Sequence, residues 1–327
     1  MIKAISLFSG GLDSILAVKI VESLGIKVIP LHIKHPFFPN LDLKVKDELG
    51  MEIIEVDISI EFLKILKKPE HGYGKNLNPC LDCKILFYKT AKKYMDRFKA
   101  DFIITGDVVG QRPFSQRKEA MKQIEREANL EGFVVRPLTQ KNLPETIPEK
   151  KGLIDRGKLY SINGRKRFSQ YELAKKFNIK YIPTPAGGCL LTDKGFSERT
   201  KKLMKYGFLT PINIEIIKHG RLIDLNDKKL IVVGRNESEN NLLEALFNMR
   251  KEGVIFIETI EPSGPSAIII GEKETDKNSP IIDKAIRTLF KYMKSKKGIF
   301  SVKTETEDFE LTNHNNEKKD IDNSDNK

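Results

Sequence analysis

Apolar residues run together or alternate over residues 2–8, 28–33, 53–58 and 102–105, and they recur at helical spacing over 15–24 and 85–98. The first pattern predicts strands and the second predicts helices. Strand and helix taking turns predict an α/β fold, a doubly wound parallel sheet with helices on both faces. Ligands of such sheets sit beyond the carboxyl ends of the strands, near the point where strand order reverses. Three segments fall at such ends: "SGGLDS" at 9–14, residues 32–35, and "TGDVVGQRPFSQ" at 105–116. They are expected to line one crevice.

The pattern changes after the first half. Residues 139–185 are rich in Pro, Lys and Arg and predict long loops with a short helix at 170–177. A second, smaller α+β domain is expected from about Phe196, with strands at 229–233 and 266–271 and a helix at 241–251. From Glu305 onward the chain is polar and rich in Asn, Asp and Glu, which predicts a disordered tail. The expected division is therefore 1–195, 196–304 and 305–327.

Composition narrows the function classes. A chain of 327 residues can bury two cores. No apolar run is long enough to span a bilayer, and the first strand opens at residue 2 with no leader before it, so no membrane partner and a cytoplasmic location are expected. Three cysteines, an odd number, argue against a disulfide framework. The formal net charge is +12, and residues 305–327 carry −5 of it, leaving +17 on the body. Such an excess fits a polyanionic partner, or a lysine-rich solvated surface; charge alone does not choose.

"SGGLDS" has the chemistry of a phosphate cradle. Gly10 and Gly11 let backbone amides approach an anion without a Cβ in the way. The following helix adds its unpaired N–H groups and positive dipole end, and Ser9 and Ser14 offer hydroxyls. No Gly-Lys-Ser/Thr follows, so the Walker-type loop is excluded. A plain strand-to-helix turn is the alternative, with Asp13 as a helix-cap residue.

The thiols are the other candidate chemistry. Cys80 and Cys83 stand in "NPCLDCK", a two-thiolate clamp, and Cys189 stands in "PAGGCLLTD" behind a glycine pair. A structural zinc site wants four ligands, and His71 could supply a fourth only from a Gly-rich loop without histidine-pair spacing. Three ligands and one open position suit a [4Fe–4S] cluster with one iron free of protein. A redox pair or inert buried thiols remain open.

With these residues in view, "SGGLDS" resembles the PP-loop of the ATP pyrophosphatase superfamily, and the chain resembles its tRNA-thiolating members. "TGDVVGQRPFSQ" resembles the Thr-Gly-Glu-x-x-Gly-Gln-x-x-Ser-Gln segment of tRNA 4-thiouridine synthetases, and "CKILFYKTAKKYMDRFKADFIITG" is similar to the helix and strand before it. "NPCLDCK" resembles the region of the first active cysteine in tRNA 2-thiouridylases, and two close cysteines with one distant resemble the iron–sulfur thiolases. The resemblance covers residues 1–195. It implies an adenine nucleotide alpha hydrolase-like fold that binds ATP through Ser9, Gly10, Gly11, Asp13, Ser14, Lys84, Gly106 and Gln116, with adenine near His32 and Ile33. It implies Mg2+ near Asp13, and Asp107 in place of the family's glutamate as acid/base or metal contact.

Cys80, Cys83 and Cys189 would hold the cluster, or Cys189 or Cys80 would carry a persulfide and the other would resolve it as a disulfide. Arg112, Arg165, Lys166 and Arg167 are candidate contacts to tRNA phosphates. Sulfide or a cysteine desulfurase-type donor would supply sulfur, and a homodimer is among the expected partners. The family's usual N-terminal RNA-binding extension and rhodanese domain are not expected here, which favours a cluster-dependent short form. "VVGRNESENNLL" at 232–243 and "GPSAIIIG" at 264–271 resemble the RNA-binding domain of NFACT proteins. The expectation is ATP-dependent thiolation of a tRNA uridine, 4-thiouridine before 2-thiouridine. A PP-loop amide ligase on a small molecule and a non-catalytic RNA-binding protein are the rivals.

Overall fold

The computed structural model describes residues 1–183, 188–226, 228–273, 275–295 and 297–314. The chain divides into two compact units, Met1–Ser197 and Glu198–Lys327.

The first unit runs β1 (Lys3–Leu7), α1 (Leu12–Glu22), β2 (Lys27–Lys34), α2 (Leu43–Leu49), β3 (Ile54–Asp57), α3 (Ser59–Lys67), α4 (Cys80–Phe98), β4 (Phe102–Thr105), α5 (Lys118–Glu127), β5 (Val134–Val135), α6 (Ile147–Lys150) and α7 (Phe168–Lys176). The five strands form one parallel sheet in the order β3-β2-β1-β4-β5. Leu7 pairs with Leu31 on one side and with Thr105 on the other, so β1, β2 and β4 end side by side. Strand order reverses at β1.

Alternation within the strands splits the core in two. Ala4, Phe102 and Ile104 face one way, packed with Leu12, Ile15 and Leu16 of α1 and Leu173 of α7. Ile5 and Ile103 face the other, packed with Ile85, Tyr88 and Ala91 of α4 and Ile124 of α5. Both faces are covered, as the doubly wound reading expects.

Two helices begin earlier than their apolar spacing suggests. α1 starts at Leu12, directly on Gly11, and α4 starts at Cys80, because polar Asp82 and Lys84 interrupt its apolar stripe.

The second unit contains the end of α8 (Lys194–Tyr206), then α9 (Pro211–Lys218), β6 (Arg221–Asn226), β7 (Lys229–Val233), α10 (Glu237–Met249), β8 (Val254–Glu261), β9 (Ala267–Ile270), α11 (Pro280–Phe290), β10 (Lys297–Lys303) and β11 (Asp308–His314). Its six strands form an antiparallel sheet in the order β11-β10-β8-β9-β7-β6. Ile231, Val233, Ile255, Ile257 and Ile269 bury one face against Ile282, Ile286 and Leu289 of α11.

The tail expectation needs correction. Disorder from Glu305 is contradicted by β11, which pairs along β10 from Lys303↔Asp308 to Lys297↔His314. Only Phe309 and Leu311 of that strand reach the core, too few apolar positions to register as a strand. Residues 315–327 lie outside the described residues. Among the described residues no helix is long and apolar enough to cross a membrane.

Candidate functional site

The chain leaves β1 at Leu7 and turns through Gly10, whose φ of +78° is a left-handed conformation that glycine adopts freely. Gly11 then opens α1. The turn is knit locally: Ser14 Oγ donates to the Gly11 carbonyl at 2.7 Å, Ser9 Oγ lies 3.3 Å from Ser14 Oγ, and the Gly11 amide donates to Ser9 Oγ at 3.4 Å. Among the described residues no side chain caps α1, so its positive dipole end is left uncapped at the turn.

Asp13 lies in the first turn. Its Oδ2 accepts from Gln111 Nε2 at 3.1 Å and sits 3.7 Å from the Arg167 guanidinium, while its buried Oδ1 has no hydrogen-bond partner. Burial raises its pKa, and Gln111 and Arg167 offset only part of that. Gln170, fully buried on α7, lies beside it, and its side-chain amide also pulls the Asp13 pKa down. His32, at the carboxyl end of β2, is held by the Phe8 carbonyl at Nδ1 (3.0 Å), with Nε2 unpartnered; burial keeps its pKa low and the ring neutral. Ile33 is buried beside it, paired with Val56.

β4 delivers the next group. Gly106 packs against the start of α1 so closely that a Cβ there would lie 2.5 Å from the Asp13 carbonyl carbon. Asp107 follows, buried. Lys84 Nζ donates to its carboxylate at 2.8 Å and 3.2 Å, Gln116 Nε2 at 2.7 Å, Tyr88 Oη at 3.1 Å and Thr105 Oγ1 at 3.2 Å. Burial alone would raise its pKa; Lys84 and Arg136 outweigh that and hold it well below the carboxylate range. These donors fix Asp107 to Lys84 and Gln116, one residue after the glycine that packs on the start of α1.

Asp107→Asn is expected to destabilise the unit by about 3 kcal/mol, because it leaves the Lys84 charge without its partner. The difference from wild type in chemical denaturation should be full above about pH 4 and fade as pH falls, since the native carboxyl pKa is the lower one.

The thiols stand one turn away. Cys80 opens α4 and Cys83 follows, with Lys84 next in the chain. The 188–192 segment is strapped to them: the Leu77 amide donates to the Leu191 carbonyl at 3.3 Å, and Asn76 Nδ2 to the Thr192 carbonyl at 2.7 Å. Burial pushes the Cys189 thiol up to about 12 and Cys83 well above its ordinary value; Cys80 adds to both shifts and Cys189 adds to that of Cys83. Cys80, half-buried, is raised by burial and pulled back by Arg112 and Lys84. Among the described residues no three His, Cys, Asp or Glu groups converge as a closed ligand set. The trio is therefore assembled by neighbourhood and thiol chemistry, short of metal-binding geometry; residues 184–187, leading into Cys189, lie outside the described residues.

His71 is committed elsewhere. Its Nδ1 lies 3.2 Å from Asp82, the residue between the two cysteines, and its Nε2 3.1 Å from Glu127 of α5. Asp82 also accepts from the Glu70 and His71 amides, so the latch fixes the first turn of α4. Burial lowers the His71 pKa, but the two carboxylates outweigh it and leave the value raised. Its ion-pair contribution is thus full below about pH 6.5 and lost as pH rises through the native value. His71→Ala should cost about 1 kcal/mol at pH 6 and less at pH 8.5, read as melting temperature against pH.

The basic residues separate. Arg112, Arg165 and Lys166 are exposed, whereas Arg167 is half-buried with its guanidinium 3.7 Å from Asp13 Oδ2. Sequence reasoning missed Tyr88, Arg136, Gln111 and Gln170, although Tyr88 lies inside the resembling 83–106 stretch and Gln111 inside the 105–116 segment. In the second unit, Asn240 bonds the Ser266 amide at 3.0 Å and the Gly264 carbonyl at 3.2 Å, so the 232–243 and 264–271 stretches meet.

Residues 2–148 match the family described as thiamine biosynthesis protein (ThiI). The probable tRNA sulfurtransferase of Thermococcus kodakarensis is 28% identical over 145 residues, 42% of this chain and 36% of that protein, so the chain spans little more than a third of that relative's length. Among solved structures, a protein described as a predicted subunit of tRNA methyltransferase from Methanocaldococcus jannaschii is 16% identical, covering 54% of this chain and 76% of that one at a TM-score of 0.32. A 4-thiouridine synthetase in complex with RNA and ATP is 17% identical, covering 64% of this chain and 53% of that one at a TM-score of 0.34. Over residues 2–148, all within the N-terminal unit, the chain is similar to the ThiI family.

Proposed function

We propose that the protein is an ATP-dependent tRNA sulfurtransferase that makes 4-thiouridine. One observation carries the reading: a single helix start, at Cys80, places two thiols and Lys84 together, and Lys84 is pinned by Asp107 next to the residue that packs on the glycine loop. Nucleotide and sulfur chemistry then share a cleft.

The donor set fits ATP. The loop amides, Ser9 and Ser14 hold the pyrophosphate end, Lys84 and Gln116 lie beside it, and His32 and Ile33 line the adenine side. The unpartnered Oδ1 of Asp13 suits Mg2+, a hard cation that takes oxygen ligands. A uridine carbonyl oxygen has no good leaving group. Its attack on the α-phosphorus releases pyrophosphate and makes a uridylyl–AMP ester. Sulfide then displaces AMP, which carries the original oxygen away, and no oxidant is needed. Cys80, Cys83 and Cys189 are suited by ligand type to a [4Fe–4S] cluster, which when bound supplies an open iron for sulfide. Arg112, Arg165 and Lys166 would position tRNA by its phosphates, with steep salt dependence. The joined stretches of the second unit are the candidate RNA-docking surface.

The test is the nucleoside profile of bulk tRNA from a deletion strain. Loss of 4-thiouridine supports the reading; an unchanged profile removes it.

A further inference from the structure

Three residues, Arg112-Pro113-Phe114, separate Gln111 from Ser115, and they form the tip of a short closed loop. The Gly110 amide donates to the Gln116 carbonyl at 2.7 Å and the Gln116 amide to the Arg112 carbonyl at 3.3 Å, so the loop is fixed at its base. Each anchoring residue belongs to the candidate site. Gln111 bonds Asp13 of the nucleotide loop, Gln116 bonds Asp107, and Arg112 Nη1 lies 3.6 Å from where a Cβ would stand on Gly188, the residue before Cys189. Phe114 lies between them, and its ring is 51% exposed. The ring packs beside Gly74, where a Cβ would lie 3.7 Å from it.

A lone exposed phenylalanine needs no explanation. This one is held by a proline-containing loop whose neighbours reach both the nucleotide loop and a thiol. The reaction requires a uracil, taken out of any stack, with its carbonyl oxygen at the nucleotide and its carbon open to sulfur. Proteins receive unstacked bases on aromatic faces, usually with a cation nearby for the backbone. Phe114 and Arg112 are that combination.

We propose that Phe114 is the platform on which the target uracil stacks, with Arg112 on the adjoining phosphate; the inference rests on the tRNA-thiolation reading. Phe114→Ala, Phe114→Leu and Phe114→Tyr are compared in the full-length protein, using tRNA from the deletion strain and ATP affinity as the folding control. Phe114→Ala should raise KM for tRNA about ten- to hundredfold, the range for loss of one base-stacking contact. Phe114→Tyr should restore it, and Phe114→Leu, apolar but without a π face, should not. Unchanged KM in Phe114→Ala, full rescue by leucine, or a matching loss of ATP affinity would each overturn the platform while leaving thiolation standing. Absence of tRNA thiolation by the wild-type protein overturns both.

Discussion

Cys189→Ala is expected to reduce thiolation to background while ATP affinity stays at the wild-type value. The segment carrying Cys189 is strapped to the loop before α4 by main-chain and side-chain bonds; Cys189 raises the cost of ionising Cys83, and Cys80 raises that of Cys189. Alanine removes the sulfur and little else, since the site is small and buried; the stability cost should be about 1 kcal/mol. Under the proposed cluster reading, wild-type protein purified anaerobically carries iron and visible absorbance, and the same variant should carry neither. Wild-type thiolation by Cys189→Ala would remove the thiol trio from the account. Loss of thiolation with iron retained would favour sulfur carried on Cys189 itself.

Gly106→Ala is expected to lose ATP binding by at least about a hundredfold, the scale of an ångström's displacement in a catalytic constellation. Its Cβ would lie 2.5 Å from the carbonyl carbon and 2.6 Å from the carbonyl oxygen of Asp13, and 2.6 Å from the Ser14 amide nitrogen. All three are backbone atoms at the start of α1 and cannot rotate away. Either α1 shifts, taking the glycine loop with it, or β4 does, taking Asp107 and Lys84. Overpacking of this kind also costs about 1–3 kcal/mol of stability. Calorimetric titration with ATP and thermal unfolding read the two effects separately. Wild-type ATP affinity in Gly106→Ala would show that this contact does not set the loop.

The central strands and the glycine loop were legible because their signals are local. Period-two and buried apolar runs name β1, β2 and β4, and "SGGLDS" needs only its own backbone. Charged helix starts were less legible: Asp82 and Lys84 hide the first turn of α4 because their side chains serve a latch and an ion pair rather than the core. The fate of Asp107 could not be read at all. Its ionisation depends on Lys84, 23 residues away, and Arg136, 29 residues away, brought together only by the fold. Likewise His71 finds Glu127 across 56 residues. Arg167 read as part of a basic run, yet folding turns it onto Asp13. β11 escaped because two apolar residues suffice when a neighbouring strand supplies the rest.

The most direct measurement uses the full chain, purified anaerobically and incubated with ATP, Mg2+, sulfide and tRNA from the deletion strain. The account predicts 4-thiouridine and AMP rising in equal amounts, with neither formed when tRNA is omitted. AMP release without tRNA, or thiouridine formed without ATP, would contradict it.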